Sequence, residues 1–203
     1  MTGILSIDPA TKTGWAFARP GERPVWGSHR MGEARAELGQ AVSAMHHFLR
    51  EKIGSLDPSE IAYERPYVPV PRVRVVRAGF ELPGAGGPPP MNAETVFRLA
   101  AFAGVIEAAA FDAGLPCRAV TPAQIAKFFT GSARWGSRAE KKAATMRMCE
   151  VYGFDVGKSD DAADALALLL YTESLVSPRA AAKRGAGPLF APRKKSVTEA
   201  LDA

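Results

Sequence analysis

From Val68 to Pro90 the sequence is crowded with proline, glycine and arginine, and Gly84 to Pro90 reads GAGGPPP. Proline has no amide hydrogen to donate and glycine loses too much backbone entropy, so such a stretch builds neither helix nor strand ladder. Its composition predicts a loop. Whatever packs into a core must come from the two flanks, and their patterns differ.

The N-terminal flank reads as strands around one helix. Gly3 to Ile7 is an apolar run suited to a central strand. Thr13 to Ala18 and Val25 to Met31 follow as antiparallel partners, with Pro20, Gly21 and Pro24 in the turn between them. Glu33 to Ile53 carries Leu38, Val42, Met45, Leu49 and Ile53 at spacings of three and four, which predicts an amphipathic helix. Ile61 to Glu64 is the next strand.

Beyond the loop, Asn92 caps a helix running to Ala113, apolar on nearly every face and so expected to be buried on two sides. Arg118 to Val120 is a short strand, and Thr121 with Pro122 starts a helix. Ser137 and Glu140 form a capping box for a further helix that ends at Gly153. Ser159 opens the last helix, Asp160 to Ser174. This order predicts an α/β domain over residues 1–176, a mixed five-stranded sheet with helices on both faces and residues 68–90 as a loop insertion. Residues 177–203, rich in Ala, Gly, Pro, Lys and Arg, read as a basic, disordered tail.

With 203 residues, 47% of them hydrophobic and 23% charged, the chain can bury a core without disulfides or structural metal. Cys117 and Cys149 form no CxxC pattern, which excludes a zinc knuckle and fits a reducing, cytoplasmic setting. The longest apolar stretch, Ala162 to Val176, is interrupted by Asp164 and Glu173 and falls short of the roughly 20 residues of a membrane span. Asp8 ends the first apolar run too early for a secretory signal. The formal charge is +5. It is concentrated: four arginines face one acid between Arg65 and Pro90, and six basic residues face two acids after Val176. Basic charge on two loop-like segments is the pattern of a polyanion-binding protein.

Four carboxylates fall at element ends: Asp8 after the first strand, Glu64 closing the fourth, and Asp161 with Asp164 at the start of the last helix. Neighbouring parallel strands present their terminal side chains on one sheet edge, and residues three apart on a helix share a face. Carboxylates gathered there repel, so they take up protons or a cation, and all-oxygen ligands select Mg²⁺ or Mn²⁺. Taken singly, each has a plainer role: an Asp after a strand forms turns, and an Asp in a first helical turn satisfies the helix dipole. Asp160 is assigned that plainer role.

Ile7-Asp8-Pro9, Thr13-Gly14-Trp15, Tyr63-Glu64, Asn92-Ala93-Glu94-Thr95 and Asp161-Ala162-Ala163-Asp164-Ala165-Leu166-Ala167 resemble, in order and spacing, the RuvC family of Holliday-junction resolvases. The resemblance runs from Gly3 to about Thr172. It implies an RNase H-like fold and a homodimeric endodeoxyribonuclease that nicks four-way and related branched DNA. It also implies two Mg²⁺ or Mn²⁺ ions held by Asp8, Glu64, Asp161 and Asp164, and 5′-phosphate products. Thr121 to Met146 resembles the family's lysine-bearing stretch, which places Lys141 at its essential basic position and Lys127 at a second. Tyr67 stands where the family carries an aromatic that stacks on a base, although between Pro66 and Val68 it is equally placed to be a packed loop residue.

Arg72, Arg74 and Arg77 are expected to grip DNA phosphates beside the site. The long loop and extended tail look like those of phage-type members, so the setting is a bacterial cell or a phage-infected host. His29, His46 and His47 match no ligand position. Three rivals stay open: a ribonuclease H-type nuclease acting on RNA–DNA hybrids, a non-catalytic junction-binding protein, and an actin-like kinase, which would need two such domains.

Overall fold

The computed structural model describes residues 3–33, 36–66 and 92–184. Strands β1 (Ile4–Asp8), β2 (Lys12–Ala18) and β3 (Val25–Arg30) form an antiparallel meander. After α1 (Leu38–Leu56), β4 (Glu60–Glu64) returns parallel to β1. After α2 (Ala93–Asp112), β5 (Cys117–Val120) adds parallel to β4. The sheet order is β3-β2-β1-β4-β5. Helices α3 (Pro122–Thr130), α4 (Arg138–Val151), α5 (Asp160–Val176) and α6 (Pro178–Lys183) complete the described chain. The expected mixed five-stranded sheet is present.

The strand period of two divides the core. Leu5 and Ile7 of β1, with Ile61 and Tyr63 of β4, face α1 and α2 and pack on Met45, Leu49, Phe102 and Ile106. Ile4 of β1 and Ala62 of β4 face the other way, onto α5 with Ile125 and Phe129 of α3 and Cys149 of α4. Helices thus cover both faces. Helix α5 lies deepest: Ala162, Ala163 and every residue from Ala165 to Leu170 are buried, so its sides meet sheet and helices alike.

Several expectations are corrected. Helix α1 begins at Leu38, not Glu33. The chain first rounds the sheet edge, with the Met31 amide bonded to the Thr11 carbonyl at 2.8 Å and Gly32 at φ +90°, and Glu37 at the N-cap makes no side-chain capping hydrogen bond. Helix α2 buries one stripe, Phe102, Ile106, Ala109 and Ala110, and not two sides; Phe97 is 68% and Phe111 85% exposed. The capping box at α4 is displaced: Ser137 Oγ accepts from the Glu140 amide, but the Glu140 carboxylate accepts from the Gly136 amide. The reciprocal box occurs instead at α3, between Thr121 and Gln124.

Past residue 176, α6 folds back on α5 and buries Ala181. Its follower Arg184 donates twice to Glu173, Nε to Oε2 at 2.8 Å and Nη2 to Oε1 at 3.0 Å, and Glu173 is only 2% exposed. The Gly21 amide in the β2–β3 turn donates to the same carboxylate at 3.0 Å. A buried charge is tolerated when paired and hydrogen-bonded in this way. Tyr67, Arg72, Arg74 and Arg77, the loop 68–90 and the tail beyond Arg184 lie outside the described residues.

Candidate active site

Asp8 and Glu64 are the last residues of β1 and β4. These parallel strands pair in register up to Ile7 with Tyr63, so the two carboxylates come next, side by side at one sheet edge. By alternation both fall on the face of Ile4 and Ala62, the face that α5 covers. Ser159 caps α5, its Oγ accepting from the Ala162 amide at 3.3 Å, which sets Asp160 and Asp161 in the first turn and Asp164 one turn on.

Small residues bring the helix to the sheet. Ala16, Ala18 and Ala62 meet Ala163, Ala165 and Ala167. The buried Ser6 Oγ lies 2.8 Å from the Ala165 carbonyl within α5 and 3.0 Å from the Ala16 carbonyl. At Gly14 the approach is closest, for a Cβ there would lie 1.8 Å from the Asp161 carbonyl oxygen.

The result is an open concavity of about 720 Å³, lined by all four carboxylates and by Lys12, Arg65, Arg98, Arg138, Lys141 and Lys142. Burial, then the neighbouring Glu64 and Asp164, hold the Asp8 carboxyl well above its ordinary range. Burial raises Glu64 to about 7, with Lys141 opposing and Asp164 adding. Asp164 is raised by burial too, against the pull of Lys141. At Asp160 burial works upward, but the hydrogen bond and charge of Lys142 outweigh it and lower the carboxyl.

Asp161 lines the concavity with Asp164 and is paired there with Lys12, Nζ to Oδ2 at 2.8 Å. Among the described residues no three Asp, Glu, His or Cys side chains draw close enough to hold a metal ion as they stand. The donor set nevertheless fits a hard cation. Three carboxyls whose proton affinity is raised by burial and by one another's charge are a set that a divalent ion would relieve, and oxygen ligands favour Mg²⁺ or Mn²⁺ over softer metals. Lys141 lines the same concavity, whereas Lys127 is exposed on α3 and is not among the concavity's lining residues.

Sequence reasoning missed Lys12, Arg65, Glu94, Arg98 and Arg138 as lining residues. For one pair a signal was present: Glu94 and Arg98 stand four apart on α2 and bond at 3.1 Å, and Arg98 also donates to the Ala36 carbonyl. Lys12, Arg65 and Arg138 become part of the site only through tertiary packing.

A β3-β2-β1-β4-β5 sheet with carboxylates at the ends of its parallel strands and on the helix crossing them defines an RNase H-like α/β domain with an acidic site. No family model matches the chain. It is 38% identical over 170 residues to the crossover junction endodeoxyribonuclease RuvC of Corynebacterium diphtheriae, spanning 81% of this chain and 89% of that one. It is 28% identical over 191 residues to the RuvC of Halorhodospira halophila, spanning 92% and 99%. The chain belongs to the RuvC family of crossover junction endodeoxyribonucleases.

Solved structures agree in fold. T. thermophilus RuvC in complex with Holliday junction substrate superposes with a TM-score of 0.59 at 17% identity, covering 93% of this chain and 99% of that one. The yeast mitochondrial Holliday junction resolvase Ydc2 gives 0.54 at 13% identity, covering 90% and 78%.

Proposed function

We propose that the chain is a metal-dependent endonuclease that nicks four-way and related branched DNA and leaves 5′ phosphates. The observation that carries this is the meeting of Asp8, Glu64, Asp161 and Asp164 with Lys141 in one open concavity. The names of the relatives and the junction bound in the T. thermophilus structure support the choice of substrate.

Asp8, Glu64, Asp164 and, once parted from Lys12, Asp161 would hold two Mg²⁺ or Mn²⁺ ions, which when bound supply charge for the phosphorane and an activated water. Asp8 and Glu64 would hold the ions from the end of the sheet and Asp161 and Asp164 from the helix packed on it, so the reacting phosphate would be positioned by two fixed elements. Lys141 opposes their charge and is placed to hold a non-bridging phosphate oxygen as a point charge. Arg65 and Arg138 on the rim extend that attraction along the strand. Lys127, Tyr67, Arg72, Arg74 and Arg77 are proposed as further DNA contacts.

The exposed Phe97 and Phe111 on α2 support a homodimer, and a two-fold assembly would give a two-fold junction two matched sites. The long 68–90 segment and the basic residues after Arg184 support a phage-type member with its domain ending near Arg184. One experiment tests the core of the reading: a four-way junction, a linear duplex and an RNA–DNA hybrid incubated with Mg²⁺. Preferential nicking of the junction is expected; preferential cutting of the hybrid would replace the reading with a ribonuclease H, and binding without cleavage would leave a junction-binding protein.

A further inference from the structure

A second groove, of about 540 Å³, adjoins the acidic concavity and shares Arg65, Pro66, Pro122 and Lys141 with it. The rest of its wall is mainly small residues, Ala126 among them, and the indole of Trp135 from the connection between α3 and α4. The Trp135 Nε1 is buried and has no hydrogen-bond partner among the described residues. A buried indole N–H ordinarily finds an acceptor, and one that does not requires an explanation.

Two cations on the shared rim and an apolar wall holding an aromatic ring match the two halves of a nucleotide. The phosphate is drawn to the charge and the base is removed from water against the ring. We propose that this groove is a nucleobase subsite: it takes an unpaired base next to the phosphate in the acidic concavity, with Trp135 as stacking partner and Pro66 and Pro122 beside it. The inference rests on the nuclease reading above and adds a base contact to it. Continuity of the two cavities through Arg65 and Lys141 makes the occupant part of the same strand, and not a protein side chain or a second copy of the chain.

The test uses full-length protein and four-way junctions in which one nucleotide flanking the mapped cleavage phosphate is made abasic, on either side in turn. For one of the two positions the wild type should show KM raised about tenfold with kcat nearly unchanged, the size expected for one lost stacking contact. Trp135→Ala should show the same rise on the intact junction and no further rise on the abasic one. Trp135→Phe should recover most of it. Abasic sites that leave the wild type unaffected on both sides overturn the proposal without any variant, as do effects of W135A and the abasic site that multiply independently. If wild-type protein cuts no junction, the nuclease reading fails by itself, and single abasic sites placed in turn at each nucleotide next to the branch point, read as binding affinity of wild type and W135A, decide the subsite separately.

Discussion

Gly14 is the register partner of Asp8 across β1 and β2, and its α-carbon faces the Asp161 carbonyl so closely that a Cβ would lie 1.8 Å from that oxygen. One residue without a side chain therefore sets the separation between the strand-borne and helix-borne carboxylates. Gly14→Ala must push α5 off the sheet. Overpacking of this kind costs about 1–3 kcal/mol or more, and cleavage is expected to fall further than the folded fraction does. Denaturant unfolding and turnover per folded molecule check it; full activity would mean that the carboxylate spacing is not critical.

Asp164→Asn removes a ligand from the proposed metal set and one source of repulsion, while leaving the packing of α5 in place. Cleavage is expected to drop by at least about 10²-fold, the scale on which losing one preorganised electrostatic group acts. Metal-free melting temperature should stay level or rise. A melting temperature lowered as by a core mutation, with cleavage retained, is the contrary result.

In metal-free protein the raised carboxyls make stability depend on pH. Glu64 titrates at about 7 when folded, against 4.5 ordinarily, and Asp8 and Asp164 are displaced in the same direction. Below about 4.5 folded and unfolded Glu64 both hold the proton, and no difference exists. Between 4.5 and 7 the unfolded chain releases its proton while the folded one keeps it, so stability declines as pH rises and levels off above 7. Melting curves in EDTA should show this decline, Glu64→Gln should flatten part of it, and Mg²⁺ or Mn²⁺ should reverse it. A melting temperature rising steadily across that window contradicts the charge pattern described.

Arg184→Met leaves Glu173 buried without its bidentate partner, at a cost of about 3–5 kcal/mol. Truncation after residue 176 should be comparably harmful, and truncation after residue 184 nearly neutral. Chemical denaturation of the three proteins separates a structural helix α6 from a dispensable one.

Phe97→Ser with Phe111→Ser removes the exposed aromatics of α2. Light scattering should then return a species near 21.6 kDa where the parent chain gives twice that mass. A parent that already runs as a fully active monomer would refute the dimer.

The sheet, its order of elements and the lodging of Asp8, Glu64, Asp161 and Asp164 at element ends were legible because periodicity and caps are local signals. Ser159, Thr121 and Asn92 each cap the helix the sequence assigned to them. What escaped was set by partners distant in the chain. The late start of α1 follows from the Met31–Thr11 hydrogen bond, and α6 from a glutamate whose pairing with Arg184 looks, in sequence, like an ordinary tail charge. The salt bridge that draws Asp161 to Lys12 likewise depends on the close approach of β2 and α5 and on no spacing within either.

Pro66 and Glu94 both stand on the rim of the concavity, so the chain between them departs from and returns to the same place. Lengthening such an excursion adds only a slowly growing closure entropy, about 0.6 kcal/mol for each doubling, and moves neither the strand that ends in Glu64 nor the helix that carries Glu94. By that arithmetic a change in the length of this segment costs little in closure entropy. A protein built this way can change which DNA it engages without redesigning how it cuts, and an engineer seeking new substrate preference would vary this excursion first.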